Sequence, residues 1–94
     1  MKAPPLVSCI MPTANRRAFV PRAIGYFLRA DYEPRELIIV DDGSDPVGDL
    51  VPDDSRICYI RLGHRASVGT KRNRAIQQAG GDLICHWDDD DWHA

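Results

Sequence analysis

The sequence predicts an α/β domain built on a mostly parallel sheet of about four strands with helices on both faces. Three observations predict it. Strand-like and helix-like segments alternate along the 94 residues, the strand-like runs are apolar throughout, and a polar cluster follows each run. Continuous apolar strands alternating with helices are the pattern of a parallel sheet covered on both sides.

The elements follow in order. Leu6 to Met11 is a nearly continuous apolar run between Pro5 and Pro12 and reads as a buried strand. From Arg17 to about Arg29, Val20, Ala23, Ile24, Phe27 and Leu28 recur at helical spacing, with Asn15 placed to act as N-cap. Leu37 to Val40 is a second buried strand, stopped by Asp41-Asp42-Gly43-Ser44-Asp45-Pro46. Ile57 to Leu62 is a third, stopped by Gly63. A second helix is predicted from about Val68 to Ala79, its apolar face made of Val68, the alkyl stem of Arg72, Ala75, Ile76 and Ala79. Gly80-Gly81 ends it, and Leu83 to Trp87 is the fourth strand. Residues 46–56, with Pro46, Gly48 and Pro52, read as a loop holding one helical turn.

Composition bounds the function. Ninety-four residues make one domain, 1–94, and 44% hydrophobic with 28% charged residues is ordinary for a globular chain. A formal net charge of −2 argues against general nucleic-acid binding, which needs a clearly basic face. No stretch approaches the roughly 20 apolar residues of a membrane span. The N-terminus carries no signal-peptide pattern, so a cytoplasmic location is expected, with peripheral membrane attachment of a longer protein left open. Cys9, Cys58 and Cys85 each lie within an apolar run and read as free, buried thiols. No C-x-x-C spacing supports a zinc site with His86 or His93.

The polar clusters share one location. Pro12 to Arg16 follow the first strand, Asp41 to Ser44 the second, Gly63-His64-Arg65 the third, and Asp88 to Asp91 the fourth. In a parallel sheet all four meet at the carboxyl edge, where ligands of open α/β sheets bind. A helix starting near Arg17 would offer N–H groups to an anion there. Gly43 fits a turn that needs positive φ and lets Asp41 or Asp42 face the crevice. Arg65, Lys71, Arg72 and Arg74 add a basic stretch, with Lys71 and Arg72 nearer the helix start and better placed than Arg74. His64, His86 and His93 read as structural.

The four consecutive aspartates carry the sharpest chemistry. Two unit charges about 5 Å apart at an effective dielectric of 20 repel by roughly 3 kcal/mol. A fold tolerates several such pairs most easily where a cation binds, and hard carboxylate oxygens suit Mg²⁺ or Mn²⁺, which in turn hold phosphates. The bland alternative is a solvated acidic chain end.

These residues resemble a known family. Val7 to Arg16, Leu37 to Asp45, Gly69 to Ala75, and Gly81 to Ile84 running into Asp88 to Trp92 resemble in order the N-terminal half of family 2 glycosyltransferases, which have the Rossmann-like GT-A fold. The resemblance implies a nucleotide-diphospho-sugar site, most often for a UDP-sugar, and sheet order 3-2-1-4. Pro12 and Thr13 would line the nucleoside pocket, with Asn15, Lys71 and Arg72 beside it, and Asp41 or Asp42 would accept from the base. Asp88 and Asp90 would hold Mn²⁺ or Mg²⁺, Asp90 foremost as the direct ligand, and Asp88 or Asp89 would reach the ribose or a metal-bound water, with the register open by one residue. Family members continue past the aspartates into an acceptor-binding half that carries the catalytic base. The chain is therefore expected to be the donor half of an inverting enzyme, inactive alone, able to self-associate through an uncovered sheet edge. The competing reading is a non-catalytic nucleotide- or metal-binding module. A Rossmann dehydrogenase is disfavoured because Met11 to Asn15 holds no glycine, and a P-loop enzyme because G-x-x-x-x-G-K is missing.

Overall fold

The computed structural model describes residues 4–87. Four parallel strands form one sheet in the order β3-β2-β1-β4. They are β1 (Val7–Thr13), β2 (Arg35–Asp41), β3 (Ile57–Arg61) and β4 (Leu83–His86). The central pair runs in register from Val7 opposite Arg35 to Thr13 opposite Asp41. Outside it, Leu37 faces Ile57 on β3 and Val7 faces Leu83 on β4. The predicted order and the parallel sense both hold.

Each face of the sheet has its own helix. On one side Cys9, Met11, Leu37 and Ile39 pack against Val20, Ala23, Ile24 and Phe27 of α1 (Val20–Arg29), with Val47 completing the cluster. On the other, Ile10, Ile38 and Val40 pack against Ala75 of α2 (Val68–Gln78). A short 3₁₀ turn, Gly48–Leu50, supplies the one helical turn expected between β2 and β3.

Burial separates the strands in a way that the apolar runs did not. β1 and β2 are central and buried almost throughout, whereas β3 is half-buried and β4 mostly exposed, with Leu83 52% and Ile84 41% accessible. The expectation that every run is fully buried is therefore wrong for the two outer strands, each of which, among the described residues, has a neighbouring strand on one side only. For the same reason Cys58 and Cys85 are half-buried, and only Cys9 is a buried thiol.

Both helices also depart from their predicted detail. α1 begins at Val20, not Arg17, and Phe19 stands at the N-cap position without a side-chain cap. Residues 16–19 form a turn in which the Arg16 carbonyl accepts from the Phe19 and Val20 N–H groups. Leu28 lies at the rim of the apolar face and is exposed. α2 is rotated from its predicted orientation. Its buried residues are Lys71 and Ala75, while Val68 and Ile76 face outward, because Lys71 has a charged partner at the end of β2. Ser67 caps α2 by accepting from the Thr70 N–H at 3.1 Å.

Gly80 and Gly81 end α2 by close approach rather than by a left-handed cap. The Gly80 N–H donates to Glu36 at 2.8 Å and the Gly81 N–H to the Ser8 hydroxyl at 2.9 Å. A Cβ on Gly81 would lie 2.7 Å from the Leu6 carbonyl oxygen.

Candidate functional site

The carboxyl ends of β1, β2 and β3 bring three of the four predicted polar clusters together, along with the first turn of α2. Two cavities open there. One, of about 210 Å³, is lined by Pro12, Thr13, Ala14, Arg16, Val68 and Lys71. The other, of about 190 Å³, is lined by Asp42, Gly43, Ser44, Arg61, Gly63, His64 and Arg65.

The adjacent aspartates at the end of β2 have different tasks. Asp41 is fully buried and turned into the protein. One of its oxygens accepts from the Gly43 N–H at 2.9 Å, and the other from the Val47 N–H at 2.9 Å and the Tyr59 hydroxyl at 2.6 Å. Burial, together with the Asp41 carboxylate, pushes the Tyr59 phenol up to about 12. Asp41 is thus a brace for the loop after β2.

Asp42 lines the second cavity. Its Oδ1 accepts from the Lys71 ammonium at 2.9 Å, and its Oδ2 from the Ala66 N–H at 2.6 Å, with the Arg65 Nε 3.7 Å away. Burial works to raise the carboxyl, but Lys71, the Ala66 N–H and Arg65 outweigh it and hold Asp42 below the usual carboxylate value. The Lys71 ammonium also reaches the Thr13 carbonyl at 3.4 Å.

Asn15 is a loop lock and not the N-cap of α1. It adopts φ of +56°, a left-handed conformation that asparagine tolerates better than most residues. Its Oδ1 accepts from the Asp45 N–H at 2.9 Å and the Ser44 hydroxyl at 3.2 Å. Gly43 is needed here for space, since a Cβ would stand 2.5 Å from the Asn15 backbone nitrogen. The positive φ expected at Gly43 is found at Asn15 instead, and among the described residues no glycine has one.

The anion site expected at the start of α1 is not supported. The Phe19 and Val20 N–H groups are taken by the Arg16 carbonyl, and Pro21, in the first turn, has no N–H to offer. Arg72 on α2 is half-buried, and its Nε finds no hydrogen-bond partner among the described residues.

Sequence reasoning missed two features. Arg17 binds the loop after β2 through Asp45 at 3.1 Å, Asp49 at 2.8 Å and the Pro46 carbonyl at 2.7 Å. Nothing in local spacing signals that contact across 28 residues or more. His64, read as structural, lines the second cavity beside Arg61 and Arg65. Its position after the third strand was the available signal.

β4 ends at this same edge. The Trp87 N–H donates to the Ile10 carbonyl at 2.8 Å, its indole N–H to the Ala23 carbonyl at 2.9 Å, and its ring meets Phe27 edge-on at 6.2 Å. Trp87, predicted to end the fourth strand, lies just past β4 and ties its end to α1. Asp88, Asp89, Asp90 and Asp91 come next in sequence and lie outside the described residues. Among the described residues no three acidic, histidine or cysteine side chains are grouped to hold a metal ion. No described helix is long and apolar enough to cross a membrane.

Residues 8–94 match the sequence model of glycosyl transferase family 2. The chain belongs to that family. It is 43% identical over 97% of its length to an Escherichia coli (strain K12) protein named for colanic acid biosynthesis as the glycosyl transferase WcaA. It is 32% identical over 93% of its length to the GalNAc(5)-diNAcBac-PP-undecaprenol beta-1,3-glucosyltransferase of Campylobacter jejuni. The chain spans 34% and 30% of those two relatives, so about a third of their length. Among solved structures it resembles a Pyrobaculum calidifontis mannosyltransferase in complex with GDP-Man and Mn²⁺, with a TM-score of 0.87 at 22% identity over 98% of this chain and 30% of that one. It also resembles Staphylococcus aureus TarS 1–349 in complex with UDP-GlcNAc, with a TM-score of 0.84 at 25% identity over 92% of this chain and 27% of that one. The family 2 chain therefore has the GT-A sheet, order 3-2-1-4, and solved neighbours hold nucleotide sugars.

Proposed function

We propose that this chain forms the donor site of a metal-dependent, inverting glycosyltransferase and binds a nucleotide-diphospho-sugar, a UDP-sugar first among them. The observation that carries the reading is the pair of cavities at the carboxyl edge, one lined by Lys71 and the other by its partner Asp42, in a sheet whose β4, paired to β1, leads in sequence into four aspartates. In this reading Pro12 and Thr13 line the nucleoside pocket. Asp42 is the acceptor facing the base, since all the Asp41 contacts point inward. Asn15 holds the neighbouring loop in shape, and Lys71 and Arg72 supply positive charge towards the diphosphate.

The carboxylates of Asp88 and Asp90 suit a hard divalent cation such as Mn²⁺ or Mg²⁺, and Asp89 is the residue we assign to the ribose. When bound, such an ion neutralises charge on the departing diphosphate. A cytoplasmic site, where sugar nucleotides are made, fits this reading.

One observation favours the narrower reading, a module that binds without transferring. Asp41, Asp42, Asp45 and Asp49, at or near this edge, are all engaged by donors of the chain itself. The outward Leu83 and Ile84 on β4 support self-association along that edge, which sedimentation velocity at rising concentration would detect.

The test is thermal melting with UDP, with and without Mn²⁺. UDP with Mn²⁺ is expected to raise the melting temperature, and EDTA to remove most of the gain. A ligand at 100 times its dissociation constant adds about 2.7 kcal/mol. Asp90→Ala should abolish the metal-dependent part and Asp42→Ala should weaken binding in both conditions. No shift with any nucleotide diphosphate would overturn the reading.

A further inference from the structure

The geometry points to Lys71 as a positioning residue that acts through Asp42, stapling the loops after β1 and β2 into one preformed wall between the two cavities. This rests on the donor-site reading above. Lys71 is only 6% exposed although it is a lysine on a short helix. A lysine ammonium is rarely buried unless it is paired, and its three donors must then be used. Here one goes to Asp42 at 2.9 Å and one to the Thr13 carbonyl at 3.4 Å. The ammonium therefore joins β2's last carboxylate to β1's last carbonyl from a third element, α2.

Asp42 depends on that contact. Its side chain has no exposed surface, so burial alone would favour the neutral acid. The groups facing it are Lys71 from α2, the Ala66 N–H and Arg65 from the loop after β3, and, across the second cavity, Arg61 and His64. Arg65 is 3.7 Å away with its side chain 77% exposed, so water screens it. Lys71 is the buried charge that keeps Asp42 ionised and fixed in direction. A lysine that served only to attract phosphate would have no need of either partner.

The test uses the whole chain, with UDP and Mn²⁺ as the probe. Protonation of the terminal UDP phosphate at about pH 6 affects every variant alike, so each profile from pH 8 to pH 5 is read relative to wild type. Lys71→Met should bind about tenfold more weakly or worse, as expected for loss of a hydrogen bond to a charged group. It should weaken further as pH falls towards 5, because Asp42 then takes up a proton. Lys71→Arg should restore a flat relative profile even at reduced affinity. A Lys71→Met protein with unchanged affinity and a flat profile overturns the proposal, as does one weakened equally at every pH. A carboxyl ¹³C titration of Asp42 in the wild-type chain needs neither a variant nor a nucleotide. A midpoint at or above the ordinary aspartate value there overturns the staple. If wild type binds no nucleotide, the donor-site reading falls and this titration alone decides the role of Lys71.

Discussion

The hydroxyl of Tyr59 lies 2.6 Å from Oδ2 of Asp41, so the outer strand β3 reaches across to hold the end of the central strand β2. The same oxygen accepts from Val47, and the other from Gly43, so a single carboxylate organises a loop of six residues. A hydrogen bond to a charged group contributes about 1.5–3 kcal/mol. Tyr59→Phe should therefore lower the melting temperature by about 6 °C or more for a domain of this size. Phe keeps the ring packing, so the loss reads the hydroxyl. An unchanged melting temperature would mean that Asp41 is held by its backbone donors alone.

Close approach, not backbone conformation, makes two glycines indispensable. Gly43→Ala would drive a methyl to 2.5 Å from the Asn15 backbone nitrogen, and Gly81→Ala to 2.7 Å from the Leu6 carbonyl. Both neighbours are main chain and cannot rotate away. Each substitution should cost about 1–3 kcal/mol, the usual range for overpacking. Gly63 is the control, since a Cβ there meets nothing within 4 Å. Gly63→Ala should be neutral or slightly stabilising. Urea unfolding of the three variants checks this, and equal losses in all three would refute the steric account.

How far the sequence could be read follows from the same contacts. Parallel sense and the common carboxyl edge follow from local runs and their alternation, which depend on near neighbours, whereas the strand order comes only from the resemblance to family 2 glycosyltransferases. The rotation of α2 was not legible because Lys71 is buried only through Asp42, 29 residues away. Hydrophobic pattern put Val68 and Ile76 inward, and an ion pair overrode it. Asn15 looked like an N-cap because its amide suits one, yet its partners are Ser44 and Asp45 from another loop. Which of two adjacent aspartates braces the fold and which lines the second cavity likewise depends on Tyr59 and Lys71. Long-range polar contacts carry no local period.

Stability should form a plateau bounded on both sides by these groups. Asp54 is held at about 2 by the Arg56 side chain and N–H, and Asp42 and Asp49 are held below their ordinary value. A carboxyl lowered by folding stabilises above its unfolded value and loses that contribution as pH falls through the folded one. The acid limb should therefore run from about pH 4 to about pH 2. Cys9 and Tyr59 are both raised to about 12, first by burial. A neutral acid raised by folding stabilises below its unfolded value and loses that contribution as pH climbs towards the folded one. The alkaline limb should run from about pH 9 to pH 12. Denaturant unfolding across pH 2–12 checks both, and stability rising from pH 4 to pH 2 would contradict the Asp54–Arg56 and Asp42–Lys71 pairings.

The last expectation concerns chemistry. An inverting displacement needs a group that takes the proton from the acceptor hydroxyl, and its pKa should lie near the working pH. Asp42 and Asp49 are held below the ordinary value instead, and Asp41 and Asp45 are tied to partners within the chain. In the proposed reading the nucleotide would sit in the cavities, but no carboxylate described there is free to act as the base. General-base catalysis contributes typically 10²–10⁴-fold, and holding acceptor and donor together about 7–11 kcal/mol of the barrier. Without both, the chain should release UDP from a UDP-sugar only by slow hydrolysis, with or without an acceptor. Incubation with UDP-sugars, Mn²⁺ and a panel of sugar acceptors, following UDP and glycoside separately, measures this. Acceptor-dependent product at about 1 s⁻¹ or faster, an ordinary enzyme rate, would mean that a base is supplied from the segment beyond Trp87 or by a second copy. In that case Asp91→Asn, and mixing of active and inactive variants, would tell the two sources apart.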